Sequence, residues 1–391
     1  MSARAAIPVL TATLPLVLVL SACSSAGAGA ADTDGPGHDT QHYDAMSHEE
    51  LVAAAEEEGE VVVYSFTSRI ATVAEEFRKE YPGIAITEHD IPSSEQIERL
   101  ASEHAAGAST ADVAYVSDAP VVVTQLIEEG VLLPYVPPRM DDVLPEEHKE
   151  PLVTNRLSTK VLMYNEEAHP DGAPVENLWE LTSGAWEGRV VMVDPNGRGD
   201  YLDMVTEMVL RADEMDAAYQ EWAGEPLQLD DGVENAGYQF LADLYANDVI
   251  LVDSTDAVNE AVGATGQDNP PLGFTTYSDR RDNEDEGWAL QVAGEVAPAP
   301  GIIFPAMLGV TADAQNPAAA RLLIDFMMGD DSADGGPAYA PFYVPGDYPA
   351  RSDLQDPEGA LPREEFAAWP IDPEESAAVR GEVADFLLTI Q

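Results

Sequence analysis

The chain has 391 residues, room for two or three domains of the usual ~100–200 residues each. Asp and Glu number 73 against 18 Lys and Arg, a formal charge of −55, and because phosphate backbones require clustered positive charge, nucleic acid is excluded as a partner. Hydrophobic residues make up 45%, too many for a disordered polyelectrolyte, so a large core is expected. The bases are fifteen Arg and only three Lys, at Lys79, Lys149 and Lys160, which leaves a surface solvated by carboxylates. At an ionic strength of ~1 M the Debye length is about 3 Å and such carboxylates are screened from one another, so the composition points to a halophilic or salt-tolerant source, with an ordinary acidic extracellular composition as the alternative.

Residues 1–22 carry one charge, Arg4, followed by an apolar stretch from Ala5 to Leu20 that contains Pro8 and Pro15. This is the layout of a secretory signal, and it falls short of the ~20 apolar residues of a membrane span. The junction Leu20-Ser21-Ala22-Cys23 resembles the lipobox of bacterial lipoproteins, which implies cleavage before Cys23 and lipidation of its thiol. Cys23 is the only cysteine, so no intramolecular disulfide competes for it. Residues 23–46 are Gly-rich and polar and are expected to form a flexible tether. His38 and His42 lie in it four apart, with no predicted helix to hold them as a metal pair.

Ser47 and Glu50 form a capping box ahead of Leu51-Val52-Ala53-Ala54-Ala55, with Gly59 as the stop. The strand Val61–Tyr64 follows, then an amphipathic helix from Arg69 to Tyr81, the strand Ile84–Ile86, and a helix opened by Ser93 and Gln96 that reaches Gly107. Asp112–Val116 is a buried strand, and an apolar helix is expected over Pro120–Glu129. A second series begins with the strand Val161–Asn165 and continues through Val190–Val193 to one long helix over Tyr201–Trp222. Helices over Val233–Asn247 and Thr255–Val262 flank the strand Ile250–Val252. The strands Leu272–Tyr277 and Ile302–Phe304 come next, and helices over Pro317–Met328 and Glu374–Ile390 close the chain. Alternation of this kind predicts an α/β protein with largely parallel sheets. The expected organisation is two α/β lobes, the first built from residues 47–156 and 301–391 with the C-terminal helix, the second from 157–300. Ligands of such folds sit at carboxyl ends of strands and amino ends of helices.

Several stretches in this order resemble the extracellular substrate-binding proteins of ABC importers, the type 2 periplasmic-binding-protein branch that includes ferric-iron binders. They are Val63-Tyr64-Ser65, Ala111-Asp112-Val113 before Ser117-Asp118, Gly130-Val131-Leu132 leading to Pro134-Tyr135, Tyr164-Asn165, Leu178-Trp179-Glu180-Leu181-Thr182, Trp186-Glu187-Gly188, and Asn316-Pro317-Ala318-Ala319-Ala320 ahead of Leu323-Ile324-Asp325-Phe326. The resemblance spans about Glu50 to Tyr348. It implies two lobes closing over a solute by hinge motion, a monomer lipid-anchored outside the cell, delivery to a membrane permease driven by a separate ATPase, and no enzymatic activity. Hinges are expected at Leu157–Lys160 and Ala297–Gly301, where the chain changes lobes.

Two ligand classes remain open. Ferric ion takes hard oxygen donors, and the resemblance implies tyrosines, often as an adjacent pair; here the matching stretch is Thr275-Thr276-Tyr277-Ser278 and only Tyr201 and Tyr277 are available as phenolate ligands. The other class is a small oxygen-rich anion such as a phosphonate or organic acid. Arg198, Arg280 and Arg281 fall in strand-end loops where a guanidinium fork suits carboxylate or phosphate, beside Asp200 in Arg198-Gly199-Asp200-Tyr201. Ser65, Thr67 and Ser68, with Ser254 and Thr255, precede helix starts whose backbone N–H groups favour anions, and Ser117, Asp118 and Ser278 complete the candidate set. Each has a plain structural alternative: Ser68 and Ser254 as helix caps, Arg280-Arg281 as partners of the acidic run Asp282–Glu286, and the tyrosines as packing residues. No cofactor is expected beyond a ferric ion as cargo.

Other classes find less support. The chain contains no Gly-x-Ser-x-Gly, no His-Glu-x-x-His and no phosphate loop ending in Lys-Ser/Thr, the marks of a hydrolase or nucleotide enzyme. A calcium loop starting at Asp282 would need an acid at its twelfth position, which is Ala293, so that match fails. A lipoprotein hydrolase and an adhesion lipoprotein stand as the alternatives.

Overall fold

The computed structural model describes residues 40–391; the secretory signal, Cys23, His38 and most of the expected tether lie outside the described residues. The end of that tether contains a short helix, α1 (Thr40–Asp44). Asp44 Oδ1 accepts from Arg321 Nε at 2.6 Å, which ties the segment to the body. Ser47 and Glu50 make the predicted capping box of α2 (His48–Glu58), and Gly59 ends it at φ 80°. The grammar of the first series holds through β1 (Glu60–Ser65), α3 (Ile70–Glu80), β2 (Ala85–Asp90), α4 (Ser93–Ala105) and β3 (Val113–Val116). The helix expected over Pro120–Glu129 is an α turn at Ala119–Val121 that widens into a π turn at Val122–Ile127. There Thr124 Oγ1 donates to the Pro120 carbonyl at 2.7 Å, a back-bond of the kind that bends helices.

The second series departs more from expectation. β4 (Val153–Asn165) begins eight residues before the expected Val161, and every one of its thirteen residues is buried. After β5 (Val190–Val193) the expected single helix is two, α5 (Gly199–Leu210) and α6 (Ala212–Ala223), separated at Arg211 with φ −89° and ψ 34°. Asp213 and Glu214 occupy the first turn of α6, where carboxylates complement the helix dipole and favour a fresh start. Then come α7 (Ala236–Ala246), β6 (Ile250–Val252), α8 (Thr255–Gly263) and β7 (Leu272–Thr275). β7 stops two residues before the expected Tyr277, because Tyr277–Asp282 winds into a 3-10 turn. β8 (Leu290–Val292), β9 (Gly301–Thr311), α9 (Pro317–Met327) and α10 (Pro373–Ile390) complete the principal elements.

All strands belong to one mixed sheet of twelve, whose main path is β2-β1-β3-β9-β4-β7-β5-β6. β1, β2 and β3 are mutually parallel, as are β5, β6 and β7, and the long antiparallel pair β4/β9 runs between the two groups. One apolar core gathers Trp179, Met204, Phe240 and Phe274 about β5 and β7; others gather Val63, Phe77 and Leu322, and Val116 with Leu126, about β1 and β3. Gly301 permits the tight β4/β9 approach: at φ 148°, a Cβ there would lie 2.0 Å from the Lys160 carbonyl oxygen. Side chains alternate across a strand, so Arg156, Ser158 and Lys160 share one face of β4 and Leu157 takes the other. The first three line one cavity and Leu157 lines another. Among the described residues no helix is long and apolar enough to cross a membrane.

Candidate functional site

The cavity on the Arg156 face of β4 holds about 290 Å³. Larger clefts exist, one of about 440 Å³ beside His48 and Arg139 and one of about 740 Å³ behind β4/β9. Charge distinguishes the smaller one: Arg69, Arg156, Lys160, Arg198 and Arg281 all line it, five of the eighteen bases in the chain. The fold delivers them from separate elements. The turn after β1 brings Phe66–Arg69 to the start of α3, the middle of β4 brings Arg156 and Lys160, the start of α5 brings Arg198 and Asp200, the start of α8 brings Ser254–Asp256, and the turn after β7 brings Thr276, Asp279 and Arg281. This is the meeting of strand ends and helix starts that the α/β pattern predicts.

Two pairs of cations each share one buried carboxylate. Arg69 Nη1 donates to Asp347 Oδ2 at 2.5 Å, and Arg156 Nε stands 3.3 Å from the same oxygen without hydrogen-bond alignment. Burial alone would raise the Asp347 carboxyl, but Arg156 and Arg69 outweigh it and leave it below its ordinary value. Arg156 is 1% exposed, and its Nη1 has no hydrogen-bond partner among the described residues. Its guanidinium lies among the rings of Phe342, Phe66 and Tyr115, with centroids at 4.9, 5.5 and 5.6 Å, so aromatic faces hold the charge in place.

In the second pair, Lys160 Nζ donates to Thr276 Oγ1 at 2.6 Å and stands 3.1 Å from Asp200 Oδ2, while Arg198 Nε donates to Asp200 Oδ1 at 3.2 Å. Burial opposes ionisation of Asp200, yet Lys160 and Arg198 prevail and hold it at about 2. Desolvation lowers the Lys160 ammonium in spite of Asp200: the buried cation loses more from dehydration than one shared carboxylate returns. Arg281 is different, donating to Asp279 Oδ1 at 2.8 Å and reaching Asp282 Oδ2 at 3.0 Å, so here two carboxylates share one cation.

Of the residues named from sequence, Thr67, Ser68, Arg198, Asp200, Ser254, Thr255 and Arg281 line this cavity; Ser65, Ser117, Asp118, Tyr201, Tyr277, Ser278 and Arg280 do not. Ser65 Oγ is spent on the Thr67 carbonyl at 2.9 Å, and Asp118 is engaged by Arg380. Ser117 and Ser278 are buried away from it. The two phenols proposed as ferric ligands face the core instead: Tyr201 Oη donates to the Phe274 carbonyl at 3.0 Å, and Tyr277 Oη accepts from the Leu361 amide at 3.2 Å. Burial pushes the Tyr201 phenol further up, against the phenolate that iron would need. Ser254 caps α8 through Ala257 N–H at 3.2 Å, as expected, whereas Ser68 caps nothing, since Arg69 occupies that position without a side-chain bond.

Sequence reasoning missed Arg69, Asp90, Arg156, Thr276 and Asp279, and it named Ser158 and Lys160 only as parts of a hinge, whereas both face the cavity. The signal that could have found Arg156 and Lys160 is the period-two series Arg156-x-Ser158-x-Lys160, a polar stripe on a strand.

With this geometry in place, residues 65–334 match the family model for bacterial extracellular solute-binding proteins. A search of curated proteins finds no match. Similar solved structures include iron-bound HitA from Pseudomonas aeruginosa (19% identity, TM-score 0.64, covering 84% of this chain and 99% of that one). Another is AfuA from Actinobacillus pleuropneumoniae with fructose-6-phosphate bound (16%, TM-score 0.63, 84% and 97%). A third is an ABC-transporter substrate-binding protein from Agrobacterium tumefaciens (17%, TM-score 0.63, 85% and 94%). At these identities the likeness is one of fold, the type 2 periplasmic-binding-protein fold.

Proposed function

The chain belongs to the bacterial extracellular solute-binding proteins, and on that premise we propose that it captures a small anionic solute on Arg156 and Lys160. It does no chemistry on the solute and hands it to a membrane permease driven by a separate ATPase. The observation that carries this reading is Arg156, 1% exposed, lining the cavity with Nη1 unpartnered. An unpaired buried donor is costly, and a carboxylate or phosphoryl oxygen would satisfy it. Lys160, the adjacent backbone N–H groups at the start of α8 and the hydroxyls of Thr67 and Thr255 supply further donors. AfuA, whose structure contains fructose-6-phosphate, holds a ligand of the same charge class. HitA is iron-bound, but ferric cargo in this chain is disfavoured by the inward-facing Tyr201 and Tyr277.

In this reading the monomeric body is held at the outer face of the membrane by a lipid on Cys23, and closure bends β4 and β9 near Leu157–Lys160 and Ala297–Gly301. The test is thermal shift of the mature chain with phosphate, phosphonates, carboxylates and ferric salts. An anion is expected to raise Tm in the wild type, by about 2.7 kcal/mol of stabilisation at a hundredfold excess over Kd, and to have no effect on Arg156→Gln. A rise with ferric salt alone, accompanied by a phenolate charge-transfer band, would overturn the reading.

A further inference from the structure

We propose that the solute is a zwitterion, with its anionic group on Arg156 and an amino group facing Asp90 and Asp256 at the mouth of the same cavity. This rests on the anion-capture reading and names the class of solute within it.

The cavity is polar along its depth. At its buried end Arg69, Arg156 and Lys160 outnumber Asp347 and Asp200, three cations to two carboxylates. At its outer end the balance reverses: Arg198, shared with Asp200, and Arg281, shared by Asp279 and Asp282, are the cations there, while Asp90 and Asp256 are exposed and make no salt bridge among the described residues. Exposed carboxylates are common on so acidic a chain, and alone they would carry nothing. Their significance here is position: they line the cavity whose other end holds the unpartnered Arg156 Nη1. Asp90 ends β2 and Asp256 lies in the first turn of α8, so the two come from opposite sides of the β4/β9 pair. An amino group between them would tie both sides to one ligand.

Simpler ligands fit less well. A dianion would place its second negative group against Asp90 and Asp256, and a cation would meet the excess of buried guanidinium and ammonium. Phe66, Pro92 and Phe304 also line the cavity and offer apolar surface to a short hydrocarbon spacer. The volume of about 290 Å³ lies at the lower bound for ligand pockets, which suits a small metabolite.

The test is calorimetric titration of the mature chain with matched probes: α- and ω-amino acids of three to six carbons, the monocarboxylates and dicarboxylates of equal length, and inorganic phosphate. At least one amino acid is expected to bind about tenfold or more tighter than its matched mono- and dicarboxylate. The double variant Asp90→Asn, Asp256→Asn should weaken amino acids about tenfold more than monocarboxylates, and Arg156→Gln should abolish binding of both. If monocarboxylates, dicarboxylates or phosphate bind as tightly as any amino acid, the zwitterion is wrong and anion capture stands. If no probe binds, both fall.

Discussion

Arg380 and Asp118 form a two-pronged ion pair, Nη1 to Oδ1 at 2.5 Å and Nη2 to Oδ2 at 3.0 Å, which joins α10 to the end of β3. The same guanidinium donates to the Gly199 carbonyl at 3.3 Å and stands 3.5 Å from Asp203 Oδ1. Asp118, a ligand group by sequence, is therefore a structural anchor, and one cation serves two buried carboxylates on two elements. Among the described residues Asp203 has no hydrogen-bond partner on either oxygen, so Arg380 is its principal compensation. Arg380→Ala is expected to destabilise the fold by about 3–5 kcal/mol, the cost of stranding buried charge, read by urea denaturation. A loss below about 1 kcal/mol, the value of an ordinary surface pair, would show that the carboxylates find other relief.

The start of α5 is shaped by the same contact. A Cβ on Gly199 would lie 2.0 Å from Asp118 Oδ2 and 3.0 Å from Arg380 Nη2. The need for glycine is one of space, since its φ lies outside the left-handed region. Gly199→Ala is expected to cost about 1–3 kcal/mol as an overpacking defect, measured by the shift in denaturation midpoint. Combining it with Asp118→Ala removes the clash, so the double variant should show less than the summed loss.

How much of this was legible in the sequence depends on where each residue's partner lies. The capping box Ser47/Glu50, the cap Ser254 and the strand–helix alternation are local, encoded within a few residues, and they appear where the sequence places them. β4 was recognised only from Val161, because Asn155, Arg156, Ser158 and Lys160 break the apolar run that marks a buried strand. Arg156, Ser158 and Lys160 are polar because they line a cavity, whereas Asn155 is spent on Tyr115 and the Met327 carbonyl, so the position that matters most for function is one where hydrophobic patterning fails. Asp118 and Tyr201 misled for the opposite reason. Their partners, Arg380 and the Phe274 carbonyl, are distant in the chain, and nothing near them in sequence reveals that their polar atoms are already spent.

Buried carboxylates on α5 give stability a definite pH dependence. Burial raises Glu207 from 4.5 to about 7, with Arg211 opposing only in part, and burial together with Asp118 raises Asp203. An acid whose pKa is higher in the folded state keeps a proton that the unfolded chain has lost, so stability falls as pH rises from about 4.5 to 7. Asp200 acts the other way: held at about 2, it stabilises above its ordinary range and loses that contribution as pH falls toward 2. Maximum stability is therefore expected near pH 4–5. Glu207→Gln should flatten the decline above it by up to about 3 kcal/mol, measured by urea denaturation at fixed high salt so that general charge repulsion is screened. An unchanged slope would mean that Glu207 titrates normally.

The net charge of −55 makes a prediction separable from the binding site. Compacting so many carboxylates is opposed by mutual repulsion, and raising the ionic strength from ~0.1 to ~1 M shortens the Debye length from about 10 to about 3 Å. Tm is expected to rise steadily with NaCl over that range at pH 7, and to rise much less at pH 3.5, where many of the exposed carboxylates have been neutralised. Chloride could in principle stabilise by occupying the cavity at Arg156, and that contribution would saturate with concentration and disappear in Arg156→Gln. Screening would do neither, because it acts on the whole surface. The same rise in wild type and Arg156→Gln at pH 7 therefore identifies surface repulsion as the cause, whereas a flat or falling Tm with salt would remove the link between this composition and a saline medium.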